Sequence, residues 1–195
     1  MNQRKLVFGI GNPGREYHNT RHNLGFRLVD KLAQLAGIND WTSRCQGLIA
    51  EARLCNEDVL LVKPLTYVNC CGACLASICQ RYSVEPQSLL VAVDDVSLPL
   101  GQIRIRGQGS SGSHNGLKSI VNSLDSQLFP RLRLGIGDNG NQKLADYVLA
   151  NFTWEEEKMV DTMIQTGVDA VITWLKQGTQ ASMNRYNKKQ TIPNL

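Results

Sequence analysis

Leu6-Val7-Phe8-Gly9-Ile10, followed at once by Gly11-Asn12-Pro13-Gly14, is the stretch that decides the fold class. The first run is short, apolar and unbroken by polar residues, so it reads as a buried strand. The glycine- and proline-bearing segment after it is a loop at the strand's end. Beyond it, Leu24, Leu28, Leu32 and Leu35 recur at helical spacing, with Thr20 placed to cap the helix and Gly37 to end it. A buried strand leading through a loop into an amphipathic helix is the opening unit of an α/β sheet.

The same grammar continues along the chain. Residues 47–54 and 59–63 read as strands around a turn at Asn56-Glu57-Asp58, and a helix is expected from about Val68 to Tyr82. Leu89-Leu90-Val91-Ala92-Val93 is a second wholly apolar strand, ending in Asp94-Asp95. Residues 101–106 alternate, setting Ile103 and Ile105 against Arg104 and Arg106. A Gly/Ser loop follows at 107–113, then a helix from His114 to Leu124 and a strand over Leu132–Ile136. Trp154–Lys176 carries a long amphipathic pattern, with Glu155, Glu156 and Glu157 where the helix dipole favours anions. Residues 178–195 are polar and read as a loose tail. With no repeat and no dividing linker, residues 1–195 are expected to form one α/β domain: a twisted, mixed, mostly parallel sheet flanked by helices. In such sheets the site gathers beyond the carboxyl ends of the strands.

Composition narrows the classes. The chain has 195 residues, 42% hydrophobic and 19% charged, enough for a sizeable core. Its net charge of +4 fits a polyanionic partner without demanding one. No apolar run approaches the roughly 18 residues of a membrane span, and Met1–Lys5 does not resemble a signal peptide. Six cysteines without a spaced framework suggest free thiols in a reducing compartment.

The polar residues at the strand and helix ends carry the chemistry. Asn12 follows the first strand, His22 and Asn23 open the first helix, Asn69 opens another, and Asp94 ends the second apolar strand. His114 and Asn115 close the Gly/Ser loop. A neutral histidine can take a proton from water near pH 7. A carboxylate can fix its tautomer, and asparagine amides can hold substrate or donate to an oxyanion. The expected arrangement is a His22–Asp94 hydrogen bond in a cleft lined by Asn12, Asn69 and Asn115.

These residues sit in motifs that resemble the bacterial-type peptidyl-tRNA hydrolases. Gly9-Ile10-Gly11-Asn12-Pro13-Gly14, Tyr17 and Thr20-Arg21-His22-Asn23-Leu24-Gly25 match the family's amino-terminal signature. The match continues in Lys63-Pro64-Leu65-Thr66-Tyr67-Val68-Asn69, Asp94-Asp95-Val96-Ser97-Leu98-Pro99-Leu100-Gly101, Gly112-Ser113-His114-Asn115-Gly116-Leu117-Lys118 and Arg131-Leu132-Arg133-Leu134-Gly135-Ile136-Gly137. The resemblance implies hydrolysis of the ester joining a peptide to the terminal ribose of tRNA, with no metal and no organic cofactor. Carried over by position, His22 is the general base and Asp94 its orienter. Asn12 binds near the scissile ester, while Asn69 and Asn115 hold the peptide main chain. Tyr17, Asn23 and Val68 belong to the surrounding substrate pocket, and Arg104, Arg106, Lys118, Arg133 and Lys143 meet the acceptor stem. The partner implied is peptidyl-tRNA, handled by a monomer in the bacterial cytoplasm, away from membranes. The chain departs from the family in Val68, where methionine is usual, in Asp94-Asp95-Val96-Ser97, and in the serine-rich loop before His114.

Blander readings stand beside this one. An RNA-binding protein with this fold and no catalysis would carry the same basic residues. Cys71-Gly72-Ala73-Cys74 has the spacing of a redox pair, but sits on a helix among other small residues. Gly9-x-Gly11-x-x-Gly14 copies the dinucleotide pattern, but lacks an acidic residue closing a second strand. His114 reads as a support for its loop, and His18 as an exposed loop residue.

Overall fold

The computed structural model describes residues 4–187. In chain order it contains β1 (Lys5–Gly9), α1 (Leu24–Leu35), β2 (Thr42–Arg44), β3 (Gly47–Leu54), β4 (Glu57–Pro64), α2 (Cys71–Tyr82), β5 (Leu89–Asp95), β6 (Ile103–Arg106), α3 (Asn115–Leu124), β7 (Arg131–Gly135), α4 (Leu144–Val148) and α5 (Trp154–Tyr186). The strands form one seven-stranded sheet in the order β2-β3-β4-β1-β5-β7-β6. The centre, β4-β1-β5-β7, pairs in parallel; β2-β3-β4 at one edge and β6 on β7 at the other, across the α3 connection, add the antiparallel pairings. The mixed sheet expected from the sequence is therefore present, with its parallel character concentrated in the middle.

The unbroken apolar runs follow from burial on both faces. Val7, Leu61, Leu90 and Leu132 enter a core with α1 and α5. Their neighbours Leu6, Phe8, Leu60, Leu89 and Val91 enter a second core with α2. Leu117 and Ile120 of α3 join that second core. Strands in such a three-layer arrangement have no polar face to alternate.

The crossing of β1 and α1 depends on glycine. A Cβ on Gly9 would lie 2.3 Å from the carbonyl oxygen of Gly25, and one on Gly25 would lie 2.4 Å from that of Ile10. Gly9 of the dinucleotide-like pattern thus serves helix-on-strand packing, whereas Gly14 turns the loop at φ 120°.

Local differences from the sequence reading have physical causes. The β3–β4 turn is Cys55-Asn56 rather than Asn56-Glu57-Asp58, with both residues at positive φ (54° and 67°). That geometry matches the right-handed twist of a tight hairpin. β2 and α4 carried too little periodicity to be anticipated. The first and second helices each enter through a 3-10 turn, Arg21–Asn23 and Val68–Cys70. Thr20 flanks the former, but its hydroxyl donates to the carbonyl of Tyr17 (2.8 Å) instead of capping. The loose tail expected over 178–195 needs correction over its described part. α5 breaks at Gly178 (φ 82°) and resumes as a packed helix to Tyr186. Ser182 is fully buried and donates to the carbonyl of Ala170 (2.8 Å). The side-chain amide of Asn187 pairs with both the N–H and the carbonyl of Ile105 on β6 (2.8 and 2.9 Å). Polar residues here bind backbone groups, so polarity did not mean disorder. Residues 188–195 lie outside the described part.

Candidate active site

The parallel strands β1 and β5 end on the same side of the sheet, and the polar residues after them meet there. Asn23 fixes the chain after β1. Its Oδ1 accepts from the N–H of Asn12 (2.9 Å) and its Nδ2 donates to the carbonyl of Asn12 (3.0 Å). Asn12 in turn accepts the N–H of Val68 on its Oδ1 (3.0 Å). With the oxygen so engaged, the amide group Asn12 has left to offer is an N–H donor.

His22, one residue before Asn23, reaches the end of β5. Its Nδ1 lies 2.9 and 3.0 Å from the two carboxylate oxygens of Asp94. A carboxylate only accepts, so Nδ1 carries the proton and Nε2 keeps its lone pair. Asp94 is 4% exposed. Burial pushes its carboxyl upward, but His22 and His114 outweigh that and hold it far below the ordinary carboxylate range. For His22, burial works to lower the pKa, while the charge and hydrogen bond of Asp94 together raise it; the net shift is upward.

His114 is the second imidazole on Asp94. Its Nε2 lies 3.0 Å from Asp94 Oδ1. Its Nδ1 accepts from the N–H groups of Gly116 and Leu117 (3.1 and 3.3 Å), so it caps α3. His22, Asp94 and His114 bring ligand atoms within 4.8 Å of one another, as a metal site would. A ligating imidazole, however, donates from its second nitrogen, whereas that nitrogen of His114 accepts. The trio is built for hydrogen bonding.

A cleft of about 350 Å³ opens beside these groups. Its walls come from β5 and β7 (Asp94, Asp95, Arg133), the Gly/Ser loop (Ser111–Ser113), the start of α3 (His114, Asn115) and α4 (Leu144, Val148). Arg133 Nε sits 2.8 Å from Asp95 Oδ2, in a contact too bent to count as a hydrogen bond.

The family model described as peptidyl-tRNA hydrolase matches residues 6–194. The chain belongs to the peptidyl-tRNA hydrolase family. It is 45% identical over 184 residues to a peptidyl-tRNA hydrolase of Chloroflexus aggregans, covering 93% of this chain and 98% of that one. With a peptidyl-tRNA hydrolase of Desulfitobacterium hafniense it shares 42% identity over 94% of this chain and the whole of the relative. A crystal structure of peptidyl-tRNA hydrolase from Acinetobacter baumannii superposes with a TM-score of 0.89 at 33% identity, covering 96% of each chain.

Within this family member the residues singled out by sequence are placed unevenly. His22, Asp94, Asn115 and Arg133 border the cleft, whereas Asn12 and Asn69 lie outside its lining. The cleft is thus not walled by the expected asparagine trio. Asn12 is instead a buried neighbour tied to Asn23 and Val68, and Asn69 is an exposed residue of a 3-10 turn. Val68 is itself buried, and its backbone N–H is what orients Asn12. Tyr17 meets Tyr67 edge to face, ring centroids 6.4 Å apart. Lys118 and Lys143 are exposed on α3 and at the start of α4.

The basic residues form a pattern. Arg104 pairs across the strands with Arg133, and Arg106 with Arg131. All four side chains therefore share one face of the β6–β7 edge, opposite Ile103, Ile105, Leu132 and Leu134 in the α1/α5 core.

Sequence reasoning missed two residues that shape the site. Arg131 is 2% exposed and donates to the carbonyls of Gly109, Ser110 and Gln127, tying down the Gly/Ser loop. Burial and then the charge of Arg133 lower its pKa to about 10. Arg21 lies between the rings of Tyr147 and Phe152 (4.5 and 4.8 Å), donates to the carbonyls of Ala150 and Asn151, and forks onto Glu156. It clamps the α4–α5 connection to the residue beside His22. The Arg21-His22 and Arg131-Leu132-Arg133 sequences were visible, but nothing in them named these distant partners. Cys71 and Cys74 are buried, and burial first of all pushes both thiols up to about 12, far from a reactive pair.

Proposed function

We propose that the chain hydrolyses the ester of peptidyl-tRNA, with His22 as general base. The carrying observation is the His22–Asp94 pair at the cleft. Asp94 accepts the hydrogen bond of the Nδ1–H, leaving the Nε2 lone pair to remove a proton from water as it attacks the ester carbonyl. The imidazolium formed is stabilised by the Asp94 carboxylate, and its proton returns to the departing ribose oxygen. Asn12, oriented by Val68 and Asn23, offers an N–H donor that suits the developing oxyanion. Asn115 at the cleft and Asn69 outside it are the candidates for holding the peptide main chain, beside Tyr17. Arg104, Arg106 and Arg133 offer phosphates a basic face that reaches the cleft at Arg133, and Lys118 and Lys143, exposed beside the cleft-lining Leu117 and Leu144, are further candidates for phosphate contacts. Membership in the family supports the substrate. No described helix is long and apolar enough to cross a membrane.

The test is release of peptide from purified peptidyl-tRNA by wild type and by His22→Ala. Loss of a general base is expected to slow turnover about 10²–10⁴-fold. The base must be unprotonated, so kcat/KM should fall as pH drops through a midpoint above the ordinary 6.5 of histidine. A His22→Ala enzyme with near wild-type turnover would sink the mechanism.

A further inference from the structure

His114 has no part in the reaction as written, yet its ring shares the Asp94 carboxylate with His22. We propose that His114 is a positioning residue that holds Asp94 in place and tempers the basicity it confers on His22. The proposal rests on the reading of His22 as the base.

The geometry starts at the first turn of α3. A helix N-cap is ordinarily Ser, Thr, Asp or Asn, each with a short acceptor for the exposed N–H groups. Here the cap is His114, whose Nδ1 takes the N–H groups of Gly116 and Leu117. An imidazole can cap with one nitrogen and act elsewhere with the other, which a serine hydroxyl cannot do across the same span. Because Nδ1 is an acceptor, the proton of the neutral ring sits on Nε2, which donates to Asp94 Oδ1 at 3.0 Å. The helix end thereby selects the tautomer that the carboxylate needs.

Asp94 then receives N–H groups from both sides, from His22 on one and His114 on the other. Its side chain is 2% exposed, so water is poorly placed to substitute for either. The His114 donor has two effects. It fixes the carboxylate's rotation, and hence the direction in which the His22 ring is held. It also sets the positive end of a dipole beside His22, the ring centroids being 4.9 Å apart. That dipole opposes protonation of His22, while Asp94 favours it. The remaining charged groups at the cleft are Asp95 and Arg133, which face each other. Without His114, Asp94 would pull harder on the His22 proton, and less of the enzyme would hold a free base at neutral pH.

The cap offers a clean dissection. His114→Asn retains an N-cap acceptor but is too short to reach Asp94, while His114→Ala loses both functions. Two readouts apply to each: an NMR titration of the His22 ring in the ligand-free protein, and the pH profile of kcat/KM with peptidyl-tRNA. Both variants are expected to titrate His22 about one pH unit higher and to move the acid limb of the profile by the same amount. Turnover at neutral pH should fall by a factor of up to about ten, with a thermal midpoint near wild type for His114→Asn alone. A purely structural cap predicts the opposite pattern, in which His114→Asn restores stability, His22 titration and activity together. That outcome would overturn the proposal. If His22→Ala retains activity, the base reading fails instead, and the titration shift alone decides whether His114 acts on His22.

Discussion

At the scale of single residues, the site works because side-chain amides are spent on backbone. Asn23 donates to and accepts from the two main-chain groups of Asn12, both in a buried setting. Removing it leaves an N–H and a carbonyl without partners, each costing about 1–3 kcal/mol. Asn23→Ala is therefore expected to lower stability by about 2–6 kcal/mol in urea unfolding. It should also cut kcat/KM more than tenfold, because the Asn12 donor drifts. Unchanged activity in a destabilised variant would show that Asn12 needs no such support. The sequence made His22 and Asp94 readable because both stand at strand and helix ends inside ordered motifs. Arg21 was not readable in the same way. Its partners at Ala150, Asn151 and Glu156 lie 129–135 residues away, beyond any local pattern. His114 was readable as a residue but not as a partner of Asp94, since that depends on which nitrogen the helix end captures.

At the scale of elements, strands with two buried faces declared themselves as apolar runs, and the amphipathic helices by their spacing. Elements lacking either signal were missed: β2 is exposed throughout, and α4 has five residues with none buried. The contact between β1 and α1 makes a sharper test than any single strand. A methyl group on Gly25 would overlap the backbone oxygen of Ile10 and press on that of Ala92 (2.7 Å). Backbone cannot rotate away as a side chain can. Gly25→Ala is expected to cost about 1–3 kcal/mol or more through overpacking. For a chain of this size that corresponds to a fall of about 2–4 °C in Tm per kcal/mol. Because α1 carries the residues after His22, catalysis should suffer beyond the loss of folded protein. A melt within one degree of wild type would mean the helix can shift without penalty.

At the scale of the whole molecule, two cores on opposite faces of one sheet leave the β6–β7 edge partly uncovered on the side that bears Arg104, Arg106 and Arg133, while Arg131 on the same face is buried beneath the Gly/Ser loop. The mixed sheet could be foreseen from alternating strands and helices, but this division of labour could not. It requires knowing that β6 folds back antiparallel onto β7, so that alternate residues of both strands point the same way. The polar end of α5 was misread for a related reason: its side chains answer to a strand some eighty positions earlier.

That last contact has a bearing on how the protein behaves at high concentration. β6 is the outermost strand on its side, and an open strand edge is a template on which a second chain can add. Asn187 fills the two hydrogen-bonding positions of Ile105 with its own amide, acting as a stopper one residue wide. Trimming the chain at Tyr186, or replacing Asn187 with alanine, would unplug the edge without touching the cleft. Such a protein should hydrolyse its substrate at the normal rate when dilute, yet scatter light increasingly with concentration and time. If concentrated Asn187→Ala stays as clear as wild type, the neighbouring arginines alone are enough to keep copies apart.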